Sequence, residues 1–259
     1  MKKIDLMAPA KINLTLKVGK KQPDGFHPIE SIMQTISLFD YVSIEAKEGQ
    51  GKIQISGTSD EIPYDERNIA HKAAVAFLNE TKLLLDINIY IEKNIPVCAG
   101  LAGGSTDAAA VIYGLNKLND NVLSDKQVQK ICGMLGSDLN FCLIGGRCMC
   151  RGKGDDIEKL EFEPFSLTLV KPKNLKISAK EAYTRFDETK EKSDMPNDLE
   201  HALLPYYSQL KYLNAMGLQM SGSGPTYFSL EKLKHEISKE DYLIIENLHA
   251  IEHGIKVKE

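Results

Sequence analysis

The sequence predicts an α+β protein with two lobes. Strand-like alternation with a period of two and helix-like spacing of 3.6 residues are mixed in both halves of the chain. A charged stretch with one glycine and one proline, residues 153–164, separates the halves. We therefore expect an N-terminal lobe of residues 1–155 and a C-terminal lobe of residues 156–259. The length of 259 residues is sufficient for each lobe to have its own core.

The N-terminal half combines strands and helices. From Lys11 to Val18 polar and apolar residues alternate strictly, which predicts a half-buried strand with Lys11 and Asn13 on its polar face. The same patterns predict strands at 41–46, 52–56, 86–91, 139–144 and 147–151, and helices at 68–82, 108–118 and 125–135. Gly145-Gly146 between the last two strands predicts a hairpin.

The C-terminal half has the same mixed character. Ser178 and Glu181 form a capping-box pattern that predicts a helix through Arg185. The other predictions are strands at 166–170 and 254–257, a polar loop at 187–197, a helical stretch at 199–216 broken near Pro205, a strand–turn–strand at 219–230 and a helix at 241–249.

Charge and composition exclude several classes of protein. Lys plus Arg number 32 and Asp plus Glu 36, so the formal charge is −4, and a mildly acidic chain without basic blocks is a poor general binder of nucleic acid. There is no run of about 18 apolar residues, so we expect no membrane partner. The five cysteines include no CxxC pair, which predicts reduced thiols and a cytoplasmic location.

The glycine-rich segment from Pro96 to Ala110, PVCAGLAGGSTDAAA, is the most informative stretch. Its glycines let a backbone approach a ligand closely, and the helix that follows begins with free N–H groups, which together favour a phosphate site. A tight helix entry without a ligand is the alternative. Walker A, GxGxxG, GxSxG and HExxH patterns are absent. Asp107 is expected to cap the helix rather than to perform chemistry.

Two shorter motifs are ambiguous by themselves. The sequence from Ser221 to Pro225, SGSGP, fits an ordinary turn as well as a substrate clamp. Asp138, in the Gly136-Ser-Asp motif, is by itself best explained as a turn or cap residue.

The order of these motifs identifies a family. PAKINL, then PVCAGLAGGSTDAAA, then GSD, then SGSGPT resembles the superfamily of galactokinase, homoserine kinase, mevalonate kinase and phosphomevalonate kinase (GHMP kinases). The run Asp-Gly-Phe-His at 24–27 is most similar to the members that act on a cytidine diphosphate conjugate of methylerythritol. The alternatives are a sister kinase for another small molecule and a catalytically silent relative.

The resemblance implies a fold and a reaction. The N-terminal lobe would resemble the second domain of ribosomal protein S5, and the C-terminal lobe would be ferredoxin-like. ATP, with Mg²⁺ on its phosphates, would phosphorylate the 2-hydroxyl of the methylerythritol part of a small-molecule cytidine diphosphate substrate, in the non-mevalonate route to isoprenoid precursors. No residue is assigned as a metal ligand. We expect a monomer or a weak homodimer.

The resemblance also assigns site residues. Asp138 would accept or orient the hydroxyl proton, and Lys11 would orient Asp138 and offset negative charge. Asn13, Phe26, His27 and Tyr183 would bind the substrate, with aromatic rings stacking on the base. Without the resemblance, an exposed strand face would explain Lys11 and Asn13 better. The segment assigned to the ATP phosphates consists of Pro96, Val97, Cys98, Ala99, Gly100, Leu101, Ala102, Gly103, Gly104, Ser105 and Thr106.

Two features depart from the family pattern. Asn140 stands where proline is usual, so the turn at Asp138 loses a restraint. The stretch between Leu199 and Met220 is short and the chain ends early, so we expect a shortened C-terminal lobe.

Overall fold

Two β-sheets organise the chain in its computed structural model, which describes residues 1–189 and 193–259. The first sheet has eight strands, and its central path has the order β12-β1-β3-β5-β4. Its strands are β1 (Lys2–Asn13), β2 (Lys17–Val18), β3 (Ile29–Glu48), β4 (Ile53–Gly57), β5 (Leu85–Glu92), β6 (Arg147–Gly152), β7 (Asp156–Lys159) and β12 (Lys256–Val257). Neighbours are antiparallel except β4 and β5, which are parallel.

The long strand β3 is the axis of the first sheet. Its first part pairs with β6 and its last part with β5, while β1 runs along its other edge. Alternate side chains of β1, β3 and β5 are buried against helices on one face, for example Leu6, Ile44 and Ile89. This burial sets the register, since a slip of one residue would turn the apolar set outward.

Four helices belong to the first sheet: α1 (Ile69–Thr81), α2 (Gly103–Leu118), α3 (Asp125–Leu135) and α4 (Leu139–Ile144). The predicted helices at 68–82 and 125–135 are confirmed. Asn68 caps α1 by accepting a hydrogen bond from the Ala70 N–H, and Ser124 caps α3. Among the described residues, no helix is both long and apolar enough to cross a membrane.

The second sheet is a four-stranded antiparallel sheet of β8 (Ser166–Pro172), β9 (Gln219–Met220), β10 (Tyr227–Ser229) and β11 (Tyr242–His249), in the order β11-β8-β10-β9. In chain order this is fourth–first–third–second, a ferredoxin-like arrangement. Helices α5 (Ala179–Glu188), α6 (Asp198–Leu203) and α7 (Ser208–Ala215) cover one face. No helix occupies residues 231–241, where a second crossover helix would lie.

The two sheets meet through a shared apolar cluster. Ile12 of β1 and Leu101 of the glycine-rich segment pack with Leu169 and Phe228 of the second sheet. Two strands that follow residue 155 in the chain belong to the first sheet: β7 pairs with β6, and β12 pairs with β1. The first sheet therefore includes strands on both sides of residue 155, and the division at that residue stays a prediction.

Two predicted elements are wrong in type. Residues 139–144 form helix α4, not a hairpin strand, because Leu139 and Cys142 lie on one face and pack into the helical core. Residues 242–249 form strand β11, not a helix, because they pair with the free edge of β8. Short apolar runs fit both periods, and in each case tertiary contacts decide.

Two other boundaries differ from the prediction. The first strand extends from Lys2 to Asn13, and only Lys17–Val18 continues the predicted pattern. The predicted helix at 108–118 begins earlier, at Gly103, so part of the glycine-rich segment is its first turn.

A buried ionic cluster joins β3, β5 and α2 below the glycine-rich segment. Lys93 Nζ contacts the carboxylate of Asp40 and lies 2.8 Å from Asp107 Oδ2. Asp40 Oδ1 also accepts hydrogen bonds from the N–H groups of Asn94 and Ile95, at 2.6 and 2.8 Å. The cluster therefore fixes the end of β5 against α2.

Asp107 has a different role from the predicted helix cap. It lies in the second turn of α2, and its Oδ1 atom is buried without a partner among the described residues. Burial, and the nearby Asp40 charge, raise the pKa of Asp107 to about 8, although Lys93 opposes the shift. The raised pKa favours the neutral carboxyl form of Asp107.

The two carboxyl groups should differ in their contribution to stability. We expect Asp40→Asn to lower the free energy of unfolding by about 2–4 kcal/mol, because an amide does not replace a buried carboxylate with three donors. Asp107→Asn should stay within about 1 kcal/mol of wild type near neutral pH, because it resembles the neutral acid. Urea unfolding measures both, and equal losses would contradict this account of the cluster.

The raised pKa of Asp107 predicts a pH dependence. Between the ordinary value of 3.8 and about 8, the folded chain holds a proton that the unfolded chain has lost. The free energy of unfolding of the wild type should therefore fall relative to Asp107→Asn as pH rises through this window. Urea unfolding of both proteins at several pH values measures the free energy of unfolding of the wild type minus that of Asp107→Asn. If this quantity stayed constant or rose with pH, the result would be inconsistent with a raised pKa of Asp107.

Candidate active site

A cleft of about 1000 Å³ lies where the two sheets meet. Its walls come from β1, the glycine-rich segment, the start of α4, the loop before β3 and helix α5. All the sequence-predicted site residues line it except Thr106. The structure therefore brings together residues that are up to 172 positions apart in the chain, from Lys11 to Tyr183.

The glycine-rich segment turns sharply between β5 and α2. Cys98, Gly100 and Ala102 all have positive φ, at 51°, 72° and 59°. Ala102 is the N-cap of α2 and has no side chain to satisfy the first N–H groups of the helix. Backbone donors at Gly103, Gly104 and Ser105 therefore stand at the cleft with the positive end of the helix dipole, which suits an anion.

Thr106 is separated from the rest of the segment. It is fully buried in α2, its N–H donates to the Ala102 carbonyl, and its hydroxyl oxygen has no partner among the described residues. The Thr106 hydroxyl faces the Cys142 thiol rather than the cleft.

A second glycine-rich loop, from Ser221 to Pro225, closes against the first. Ser221 Oγ donates to the Gly100 carbonyl at 3.0 Å, and a Cβ at Gly100 would come within 2.2 Å of the Ser221 carbonyl oxygen. Asn197 holds this loop by donating to the carbonyls of Met220 and Gly222, both at 2.9 Å. Gly222 and Ser223 line the cleft, so the motif does more than turn the chain.

Lys11 and Asn13 are buried, which overturns the alternative of an exposed strand face. Lys11 Nζ donates to Asn13 Oδ1 at 2.5 Å and to the Gly100 carbonyl at 3.1 Å. Asn13 Nδ2 donates to Ser31 Oγ at 2.7 Å. Among the described residues no carboxylate lies within 4.0 Å of the Lys11 ammonium. A buried cation with only neutral partners is suited to an anionic ligand.

Asp138 stands at the N-cap position of α4, but its side chain makes no capping hydrogen bond. It lines the cleft beside Ser137. Burial raises the pKa of the Cys142 thiol, Asp138 raises it further and Lys11 lowers it, which puts both charges near one buried atom. The carboxylate is therefore in the same part of the cleft as Lys11 and is free to meet a hydroxyl group.

Aromatic side chains form one end of the cleft. The His27 ring stacks on Tyr183 with centroids 5.4 Å apart, whereas Phe26 is 52% exposed. Burial, and the Asp138 charge, raise the pKa of Tyr183 to about 12, so the phenol is neutral. Asp138 is thus close to the aromatic end as well.

Several residues of the cleft carry no motif and were not assigned from the sequence. Lys21, Lys153, Lys180 and Asp187 place charges at the aromatic end, and Arg67 lies near the first turn of α1. Spacing offered no signal for them, because each depends on a neighbour that is distant in the chain.

A resident metal cluster is absent from the described ranges: no group of three or more His, Cys, Asp and Glu side chains is arranged to hold an ion. Mg²⁺ in nucleotide sites needs less, because one or two protein oxygens act together with phosphates and water. Asp138 and Ser105 are oxygen donors in the cleft that fit such a partial set.

Comparison with known proteins agrees with this geometry. The family model "GHMP kinases N terminal domain" matches residues 68–146, from the N-cap of α1 through α4. The chain is 40% identical to the 4-diphosphocytidyl-2-C-methyl-D-erythritol kinase of Clostridium tetani, over 86% of this chain and 89% of the relative. It is 38% identical to the enzyme of the same name from Syntrophomonas wolfei, over 88% of this chain and 89% of the relative.

Solved structures give the same result. A crystal structure of 4-(cytidine 5'-diphospho)-2C-methyl-D-erythritol kinase superposes with a TM-score of 0.73 at 28% identity, covering 88% of this chain and 90% of that one. Homoserine kinase from Cytophaga hutchinsonii superposes with a TM-score of 0.76 at 17% identity, covering 100% and 98%, which supports the fold alone. The chain therefore belongs to the GHMP kinases, in the family of the 4-diphosphocytidyl-2-C-methyl-D-erythritol kinases.

Proposed function

We propose that this chain transfers the γ-phosphoryl group of ATP to the 2-hydroxyl of 4-diphosphocytidyl-2-C-methyl-D-erythritol, in the non-mevalonate pathway to isoprenoid precursors. The observation that carries the proposal is the position of Lys11 and Asp138 between a phosphate-type loop and an aromatic pocket in one cleft. A nucleoside triphosphate fits the glycine-rich end, and a cytosine base fits the aromatic end.

The glycine-rich segment supplies the donors for the ATP phosphates. Its backbone N–H groups at the start of α2 hold negative charge without a basic surface, which suits a chain of formal charge −4. Mg²⁺ on the β- and γ-phosphates would neutralise further charge. Ser105 Oγ would be an oxygen donor to that ion.

Lys11 and Asp138 act on the acceptor. Asp138 takes or orients the proton of the attacking hydroxyl, and it is ready to do so because it makes no capping hydrogen bond. Lys11 keeps its positive charge available because only neutral oxygens hold it. That charge offsets the negative charge that develops between the attacking oxygen and the transferred phosphoryl group.

Phe26, His27 and Tyr183 form the base pocket. Phe26 offers an exposed ring to stack on a pyrimidine, and Tyr183 forms the neighbouring wall with His27 packed against it. Asn13, adjacent to Lys11, is in reach of substrate hydroxyl groups. The substrate is therefore held at its base while its alcohol meets Asp138.

The cell compartment and assembly state belong to the same proposal. All five cysteines are free, and burial raises the pKa of the Cys132, Cys142, Cys148 and Cys150 thiols, which suits a reducing cytoplasm. We infer a small-molecule enzyme that works without nucleic acid or membrane, as a monomer or a weak homodimer.

The direct test measures ADP release from purified protein with ATP and Mg²⁺. Wild type should turn over the cytidyl substrate and not mevalonate or homoserine. Asp138→Asn should lower kcat by roughly 10²–10⁴, the usual contribution of a positioned acid–base group.

Asp125→Asn is the matched control, since Asp125 is an exposed carboxylate at the start of α3, outside the cleft. It should leave kcat unchanged. An Asp138→Asn variant with wild-type turnover would remove Asp138 from the chemistry. Turnover of mevalonate or homoserine in place of the cytidyl substrate would favour a sister kinase.

A further inference from the structure

The loop from Gly19 to His27 forms the outer wall of the aromatic pocket but has little support of its own. Gln22 and Gly25 close a short turn within it, through Gln22 N to Phe26 O at 2.7 Å and Gly25 N to Gln22 O at 2.9 Å. Most of its residues are exposed. The position of Phe26 therefore depends on side-chain contacts between this loop and other elements.

Asp187 provides the main contact with helix α5. Its Oδ2 accepts a hydrogen bond from Lys21 Nζ at 2.7 Å, and its Oδ1 lies 3.1 Å from His27 Nε2. One carboxylate thus contacts two residues of the loop, and it does so one turn after Tyr183 on the same helix. An exposed ion pair such as Lys21–Asp187 contributes little stabilising free energy by itself. The second contact is sheltered from solvent, because the His27 side chain is only 4% exposed.

His27 is held on every side. Its Nδ1 lies 2.9 Å from the Gly19 carbonyl oxygen, so both ring nitrogens face protein oxygens. Its ring stacks on Tyr183 and meets the edge of Phe186 at a centroid distance of 5.6 Å. The imidazole therefore connects the loop with α5 through ring packing, and Asp187 Oδ1 approaches its Nε2 atom at 3.1 Å.

The opposite side of the loop has a weaker restraint. Lys153 Nζ lies 4.5 Å from the Phe26 ring centroid and 2.7 Å from Asp24 Oδ2. The side chains of Lys153 and Asp24 are both half exposed. Lys153 belongs to the turn between β6 and β7. The polar contacts of Asp187 and the packing of His27 on Tyr183 and Phe186 connect the loop of Phe26 with the helix that carries Tyr183.

We propose that Asp187 is a positioning residue for the pyrimidine end of the cleft. It acts through Lys21 and His27 to fix Phe26 relative to Tyr183, and it sets the affinity for a cytidine diphosphate group without touching the ATP end. The inference rests on the proposed function for the identity of the base, whereas the contacts that carry it are independent of the reaction.

Calorimetric binding of cytidine 5'-diphosphate tests the inference apart from catalysis. Asp187→Asn should raise the Kd about tenfold, the value of a hydrogen bond to a charged group. Glu188→Gln is the matched control, because Glu188 pairs with Arg185 on the outer side of the same helix and does not line the cleft. It should bind like wild type. An unchanged Kd in Asp187→Asn, or no binding by wild type, would overturn the inference.

Kinetics separate positioning from general damage to the fold. In Asp187→Asn the KM for the cytidyl substrate should rise about tenfold, while kcat and the KM for ATP stay within about twofold of wild type. Lys21→Met should raise the same KM, and the double variant should fall short of the product of the two effects. A parallel loss in kcat and in both KM values would assign Asp187 a structural role only. Lack of turnover by a wild type that still binds the diphosphate would instead refute the proposed function.

Discussion

The carbonyl group of Gly100 is the interaction on which the rest of the site depends. It accepts hydrogen bonds from Lys11 Nζ at 3.1 Å and from Ser221 Oγ at 3.0 Å. Three distant parts of the chain, strand β1, the glycine-rich segment and the loop of the second sheet, therefore meet at one oxygen atom. A buried ammonium group is costly unless its donors are satisfied. Gly100 and Asn13 satisfy Lys11 with neutral oxygens and leave its charge available for a ligand.

The distribution of charge follows from the same arrangement. A chain with more acidic than basic residues offers backbone donors and one buried lysine, Lys11, at the cleft, while the buried acidic groups of Asp40 and Asp107 contact Lys93 below the loop. Acidic groups near the phosphate site are thus neutralised by a lysine or by a proton. The Asp138 carboxylate lies in the same part of the cleft as Lys11 and close to the aromatic end, where the acceptor alcohol is expected.

Local signals predicted a large part of this structure. Clear helical spacing predicted α1 and α3, and the capping-box pattern at Ser178 predicted α5, because these signals lie within one segment of the chain. Helix α4 and strand β11 could not be predicted, since their type depends on a helical core and on the free edge of β8. For the site, ordered motifs indicated the glycine-rich segment and Asp138. They gave no indication of Asp187 or Lys153, whose contacts join loops far apart in sequence, or of the burial that removes Thr106 from the cleft.

Direct contact between the two glycine-rich loops holds Lys11 in place. Gly100→Ala should disrupt this contact, and Gly51→Ala is the control. Both glycines have positive φ, 72° and 88°, but a Cβ at Gly51 meets nothing within 4 Å, whereas one at Gly100 meets the Ser221 carbonyl at 2.2 Å. Both variants carry a backbone strain of about 1–2 kcal/mol. Gly100→Ala should lose about 1–3 kcal/mol more in urea unfolding and most of its kcat/KM for ATP. Equal stability and equal kcat/KM in the two variants would contradict the claim.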